Sequence, residues 1–163
     1  MPKIVDHEKR RVALAQAAVQ AIAEVGIDRV RVRDVARAAD CTAGALPHYF
    51  EDKDAILIAA LRHVHANFRS RAELRALRLP FAPVEVWLCV LPVNETQRME
   101  WKVWLAFASR AAHDPAIADE FRQRQRQARD DTWLVLRTMQ ANGEFPADQD
   151  MESTAEHLAS SLD

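Results

Sequence analysis

The sequence predicts an all-α fold, and three observations carry that prediction. Glycine is scarce, at 3 of 163 residues, about 2% against a usual ~7%. Apolar side chains recur at three- and four-residue spacing along most of the chain. The periodic runs are bounded by residues that start or stop helices. The three glycines, Gly26, Gly44 and Gly143, stand far apart, so no glycine-rich loop can bring backbone against a phosphate, which excludes the dinucleotide fingerprint and the phosphate loop.

The elements follow in order. Val12, Ala15, Val19, Ile22 and Ala23 predict a first helix over residues 7–25, closed by Gly26, a residue suited to a left-handed helix end. Val32, Val35, Ala36 and Ala39 predict a short second helix, broken at Asp40, one of the few residues besides glycine that tolerates positive φ. Thr42 can cap the amides of a third helix. Asp52 can cap a longer one through Ile56, Ile58, Ala59, Leu61, Val64, Phe68 and Leu74. It fades before Leu79-Pro80-Phe81-Ala82-Pro83, where two prolines in four residues mark a joint. Residues 84–91 read as a helix closed before Pro92, and Asn94 caps another to about His113. That helix carries Met99, Trp101, Val103, Trp104, Leu105, Phe107 and Ala108, apolar nearly all round, and is expected to be buried. Asp114-Pro115 begins a helix that runs to Asn142-Gly143, with proline at its first position. A last helix starts near Asp150 and places Leu158 and Leu162 on one face.

Composition and charge bound the function. The 22 basic and 24 acidic side chains leave a net charge of −2, so any attraction to a polyanion must be local. Residues 1 to 50 carry 8 basic and 6 acidic side chains, leaving 14 and 18 for the rest. Cys41 and Cys89 lack the spacing of a disulfide framework or zinc knuckle, and no signal peptide or membrane-spanning run is present, which suits a cytoplasmic protein. His63 and His65 lie about 200° apart on a helix and cannot share a metal. Arg122, Arg124, Arg126 and Arg129, followed by Asp130 and Asp131, read as a solvated face. No catalytic constellation, metal triad or cofactor motif stands out.

Residues 32–51 carry the chemistry. Two short helices can present the second to a DNA groove when their facing side chains are small and the turn tolerates positive φ. Val35, Ala36 and Ala39 provide the small face and Asp40 the turn, while Cys41, Leu46 and Tyr49 point inward. Thr42, Ala43, Gly44, Ala45, Pro47 and His48 are left outward and are mostly small.

These residues resemble the TetR family of transcriptional regulators. The resemblance runs from Val25 to Leu57, with its signature at Gly44-Ala45-Leu46-Pro47-His48-Tyr49-Phe50-Glu51-Asp52-Lys53. The stretch Trp101–Phe107 with Asp114-Pro115 is similar to the subgroup containing the betaine regulator. The resemblance implies an amino-terminal helix-turn-helix bundle over residues 1–52 and a larger helical ligand-binding and dimerisation domain over residues 53–163. Arg33 would then reach a base or phosphate, Thr42 to Ala45, Pro47 and His48 would line the major groove, and Tyr49 and Lys53 would hold the phosphate backbone. It implies a repressor that binds a palindromic operator as a homodimer, with no membrane partner, and that a small molecule releases.

Two residues depart from the family pattern. Pro47 replaces a usual tyrosine and removes a helical hydrogen bond, so the recognition helix is expected to be bent or tightened there. Asp40 replaces a turn glycine. Family members also continue into one more helix, so the chain is expected to lack carboxy-terminal residues of the dimer interface.

The tryptophans Trp87, Trp101, Trp104 and Trp133 fall on three successive helices. They read either as core or, with Phe107, as an effector pocket between helices. Indole faces attract cations, Glu85 and Glu100 could add negative charge, and the resemblance makes a quaternary ammonium effector conceivable. A helical small-molecule-binding protein without DNA-binding activity is the alternative that Pro47 and the weak basic balance leave open.

Overall fold

A computed structural model describes residues 2–76, 83–144, 146, 148–150 and 152–154. Six α-helices are described: α1 (Pro2–Val25), α2 (Val32–Ala38), α3 (Lys53–Ala76), α4 (Pro83–Val90), α5 (Glu95–Ala111) and α6 (Pro115–Ala141), with a 3₁₀ helix at Ala43–His48 between α2 and α3. No strand is present among the described residues. Most of the proline joint, and the helix expected beyond Asp150 apart from residues 152–154, lie outside them.

The expected boundaries have local causes. Gly26 takes φ 85° and its amide donates to the Ile22 carbonyl at 2.9 Å. Asp40 takes φ 49°, the Cys41 amide donates to Ala36 and the Asp40 amide to Arg37, which is a Schellman closure with aspartate in glycine's usual place. Asp52, Asn94 and Asp114 accept from the amides of Ala55, Gln97 and Ile117, each satisfying an orphan donor of its helix.

The third helix is tightened, as Pro47 predicts, but lacks its expected cap. It is 3₁₀ rather than α and starts at Ala43, and Thr42 makes no side-chain cap. Pro47 has no N–H to return to Ala43. The Ala45 and Tyr49 amides instead reach back three residues, to Thr42 and Leu46, the tighter pattern that a short helix adopts under such a constraint.

The core is continuous from the amino-terminal helices to α6. Leu14, Ala18 and Ile22 of α1 meet Val35 and Ala36 of α2, Leu46 of the 3₁₀ helix, and Ile56, Leu57, Ala60 and Leu61 of α3. The same cluster includes Val103, Trp104 and Phe107 of α5, and Ile117 and Phe121 of α6. Buried alanines on α1, α2 and α3 let these helix axes approach closely.

Burial corrects three sequence expectations. α5 is not buried all round: Val103, Trp104 and Phe107 face the core, while Leu105 is 53% exposed, because it lies about 100° from Trp104 on the far side from Phe107. Val12 and Leu74, assigned to apolar faces, are also exposed. The arginine run is only partly a solvated face, because Arg124 turns inward onto the buried Glu120 at 3.1 Å.

The left-handed turn supplies a stability test. Asp40→Ala is expected to lower stability by about 1 kcal/mol, the cost of a Cβ without a compensating polar group in this region, whereas Asp40→Gly should be neutral or slightly stabilising. Equal losses for both variants in thermal unfolding would contradict the turn's role.

Candidate nucleic-acid interface

The 3₁₀ helix is anchored by one residue and presents most of the others. Leu46 is 1% exposed and locks the segment to the core. Thr42, Ala43, Gly44, Pro47 and His48 are exposed, with Ala45 half-buried. Small side chains at this surface keep the backbone free to approach base edges.

Arg33, near the start of α2, is exposed, and Lys53, which opens α3, is half-buried. They line one open hollow of about 690 Å³ together with Arg29, Arg31, Asp34 and Glu24. The structure thus brings these two sequence-predicted cations to one hollow, which is lined by the end of α1, the start of α2 and the start of α3. Tyr49 is half-buried, and its ring stacks on His7 of α1 with centroids 4.7 Å apart.

Electrostatics separate the two halves of the chain more sharply than residue counts do. In the body, Arg62 forms a two-pronged pair with Glu120, Arg69 meets Asp131 at 2.6 Å, and Arg71 meets Glu100 at 2.5 Å. Arg75 pairs with Glu85 and Arg122 with Asp119. Near the 3₁₀ helix the pattern reverses. Among the described residues, no carboxylate lies in ion-pair range of Lys9, Arg10, Arg11, Arg31, Arg33 or Lys53. Of the nearby acids, Asp34 holds Arg37 and the Arg31 amide and Asp28 reaches Arg110 of α5, while Glu24 lines the same hollow as Arg33 and Lys53.

The aromatic residues are only partly gathered. Trp104 is buried, 4.7 Å from Phe121 and 6.1 Å from Phe68 between ring centroids. Trp101 lies 5.8 Å from Phe68 and its indole N–H donates to the Val90 carbonyl at 2.6 Å. Phe107 is fully buried core. Trp133 stands apart on α6, its face covered by the Arg137 guanidinium at 4.9 Å. Trp87 is on α4, and its side chain lies outside the described residues. Neither the hollow beside Lys53 nor a second of about 660 Å³, between Gly26–Asp28 and the α5–α6 corner, is lined by a tryptophan. Glu85 and Glu100 carry no spare negative charge, because Arg75 and Arg71 neutralise them.

Sequence reasoning missed the part that α1 plays. His7 and Arg11, one helical turn apart, both touch the recognition region, Arg11 through its guanidinium 5.4 Å over the Phe50 ring. The run Lys9-Arg10-Arg11 was the only signal in the sequence.

The comparisons with known proteins agree with this geometry. Residues 14–60 match the family model for bacterial regulatory proteins of the tetR family. Residues 84–163 match the model for the carboxy-terminal part of BetI-type transcriptional repressors. The chain belongs to the TetR family, a family of DNA-binding transcriptional regulators and not of enzymes, and its carboxy-terminal domain is of the BetI type.

Among relatives, the HTH-type transcriptional regulator PksA of Bacillus subtilis (strain 168) is 37% identical over 122 residues, 73% of this chain and 60% of that protein. BetI of Burkholderia cenocepacia (strain HI2424) is 33% identical over 121 residues, 72% and 62% respectively. The chain therefore spans about 60% of the length of these relatives. A TetR-family regulator from Rhodococcus sp. shares the fold with a TM-score of 0.81 at 23% identity, covering 95% of this chain and 84% of that one. A transcriptional regulator from Saccharomonospora viridis, solved in complex with choline, superposes with a TM-score of 0.78 at 25% identity, over 96% and 82%.

His65 is the titratable group that the body perturbs most. It is 3% exposed, and burial, reinforced by the positive charges of Arg124 and Arg69, pushes it down to about 4. Its folded value lies below the unfolded one near 6.5, so the unfolded chain binds the extra proton between them and stability falls as pH drops from 6.5 to 4. The expected loss is about 3 kcal/mol. Urea unfolding across that window should show it, and His65→Phe should remove most of it; an unchanged pH dependence in the variant would contradict the assignment.

Proposed function

We propose that this protein is a ligand-responsive transcriptional repressor that binds a palindromic operator as a homodimer in the cytoplasm. The observation that supports the reading is a set of amino-terminal cations with no carboxylate in ion-pair range among the described residues, beside a body whose arginines are mostly held by fixed carboxylates. A polyanion gains nothing from cations already paired, whereas unpaired ones release its counterions on contact. In this reading the DNA-binding unit is residues 1–52 and the effector and dimerisation unit residues 53–163. Thr42 to Ala45, Pro47 and His48 meet the major groove, Arg33 a base or phosphate, and Tyr49 and Lys53 the backbone. Two copies place their 3₁₀ helices in half-sites about 34 Å apart, and an effector in the body biases that separation.

For the effector we propose a small quaternary ammonium compound. The structurally similar Saccharomonospora viridis regulator is solved with choline, and Trp101, Trp104 and Phe68 offer aromatic faces of the type that attracts such cations. With Glu100 already paired to Arg71, the rings rather than a free carboxylate would supply the attraction.

Lys53→Ala is expected to weaken binding to all duplexes about equally and to reduce the salt slope by about one. Arg33→Ala should in addition relax sequence preference. Unchanged affinity in both variants, measured against duplexes that the wild-type chain enriches from a random pool, would overturn the site. Choline should lower wild-type affinity for the enriched duplex, and Trp104→Phe should abolish that response while ligand-free DNA binding persists. A full response in the variant would remove Trp104 from the effector site.

A further inference from the structure

We propose that His7 is a positioning residue for Tyr49, and that the exposed stretch of α1 over residues 6–13 acts as a brace for the recognition helix. The need for a brace follows from the sequence. A six-residue 3₁₀ helix containing proline and glycine has few and poorly aligned internal hydrogen bonds, and Leu46 is its one fully buried side chain. Leu46 and the adjacent buried Phe50 fix where the segment sits, while its edge at His48 and Tyr49 is left to be held from outside the core.

Two residues of α1, His7 and Arg11, add three contacts there. The His7 ring lies over Tyr49 with centroids 4.7 Å apart and planes 29° from parallel. Its Nε2–H donates to the His48 carbonyl, a long bond at 3.4 Å. One turn on, Arg11 lies 5.4 Å over the Phe50 ring. Positions 7 and 11 share a helix face, so one straight helix reaches the carboxy-terminal end of the recognition helix at three consecutive residues. Residues 6–13 are all exposed, so these turns bury no core of their own, and their defined contacts are with His48, Tyr49 and Phe50.

The functional arm of this inference rests on the DNA-binding reading; the structural arm does not. Tyr49 is the sole tyrosine in the chain, so selective isotope labelling of tyrosine gives one ring spin system. In the full chain without DNA, that ring is expected to show nuclear Overhauser contacts to the His7 imidazole, and its resonances should move in His7→Ala. Absence of both effects overturns the brace whatever the protein does with DNA.

With the duplex enriched by the wild-type chain, His7→Ala is expected to lose about three- to tenfold in affinity, the worth of one aromatic pair. The salt slope should stay unchanged, because the cations that meet phosphate are untouched, and His7→Phe, which keeps the stack, should recover most of the loss. Wild-type affinity in His7→Ala, or no recovery in His7→Phe, overturns the positioning role. A wild-type chain that enriches no duplex would sink the DNA-binding reading, and the functional arm with it, while leaving the tyrosine contacts to decide the brace.

Discussion

The rest of this structure depends on α3. Ala60, Leu61 and Val64 are wholly buried and join the amino-terminal helices to α5 and α6 in one apolar cluster. Its other positions carry cations that reach acids on neighbouring helices, Arg71 to Glu100 of α5, and Arg62 and Arg69 to Glu120 and Asp131 of α6. A carboxylate as buried as Glu100, 2% exposed, is costly without a partner. Arg71 and Asn67 supply the partners. The same helix therefore sets the packing of the body and neutralises its buried acids.

That neutralisation decides where the chain can attract anything charged. A net charge of −2 gives no hint of a polyanion partner. Pairing, however, leaves the cations unequal: most arginines of the body are held in ion pairs, whereas Lys9, Arg10, Arg11, Arg31, Arg33 and Lys53 have no carboxylate in ion-pair range among the described residues. The field that a DNA duplex meets is set by the second group.

What the sequence disclosed and what it hid divide along the same line. Helix ends were legible, because a cap is decided within a few residues: Gly26, Asp40, Asn94, Asp114 and Gly143 each close or open a helix where their chemistry suggests. The tightening at Pro47 was legible for the same reason. Contacts between distant residues were hidden. Nothing local says that Arg124 turns inward to Glu120 or that Leu105 faces solvent, since these follow from how helices pack. The stack of His7 on Tyr49 joins residues far apart in the chain, and only the packing of α1 against the amino-terminal helices brings them together. The aromatic residues were legible as a set but not as a site: Trp101 and Trp104 share Phe68, while Trp133 lies elsewhere under Arg137.

We propose that the unpaired amino-terminal cations form a DNA-binding surface. Equilibrium binding of the full chain to its enriched duplex, followed between about 50 and 200 mM salt, tests it most directly. The logarithm of affinity should fall linearly with the logarithm of salt, with a slope equal to several released counterions. An affinity that does not change with salt, or no binding at the lowest salt, would contradict the claim.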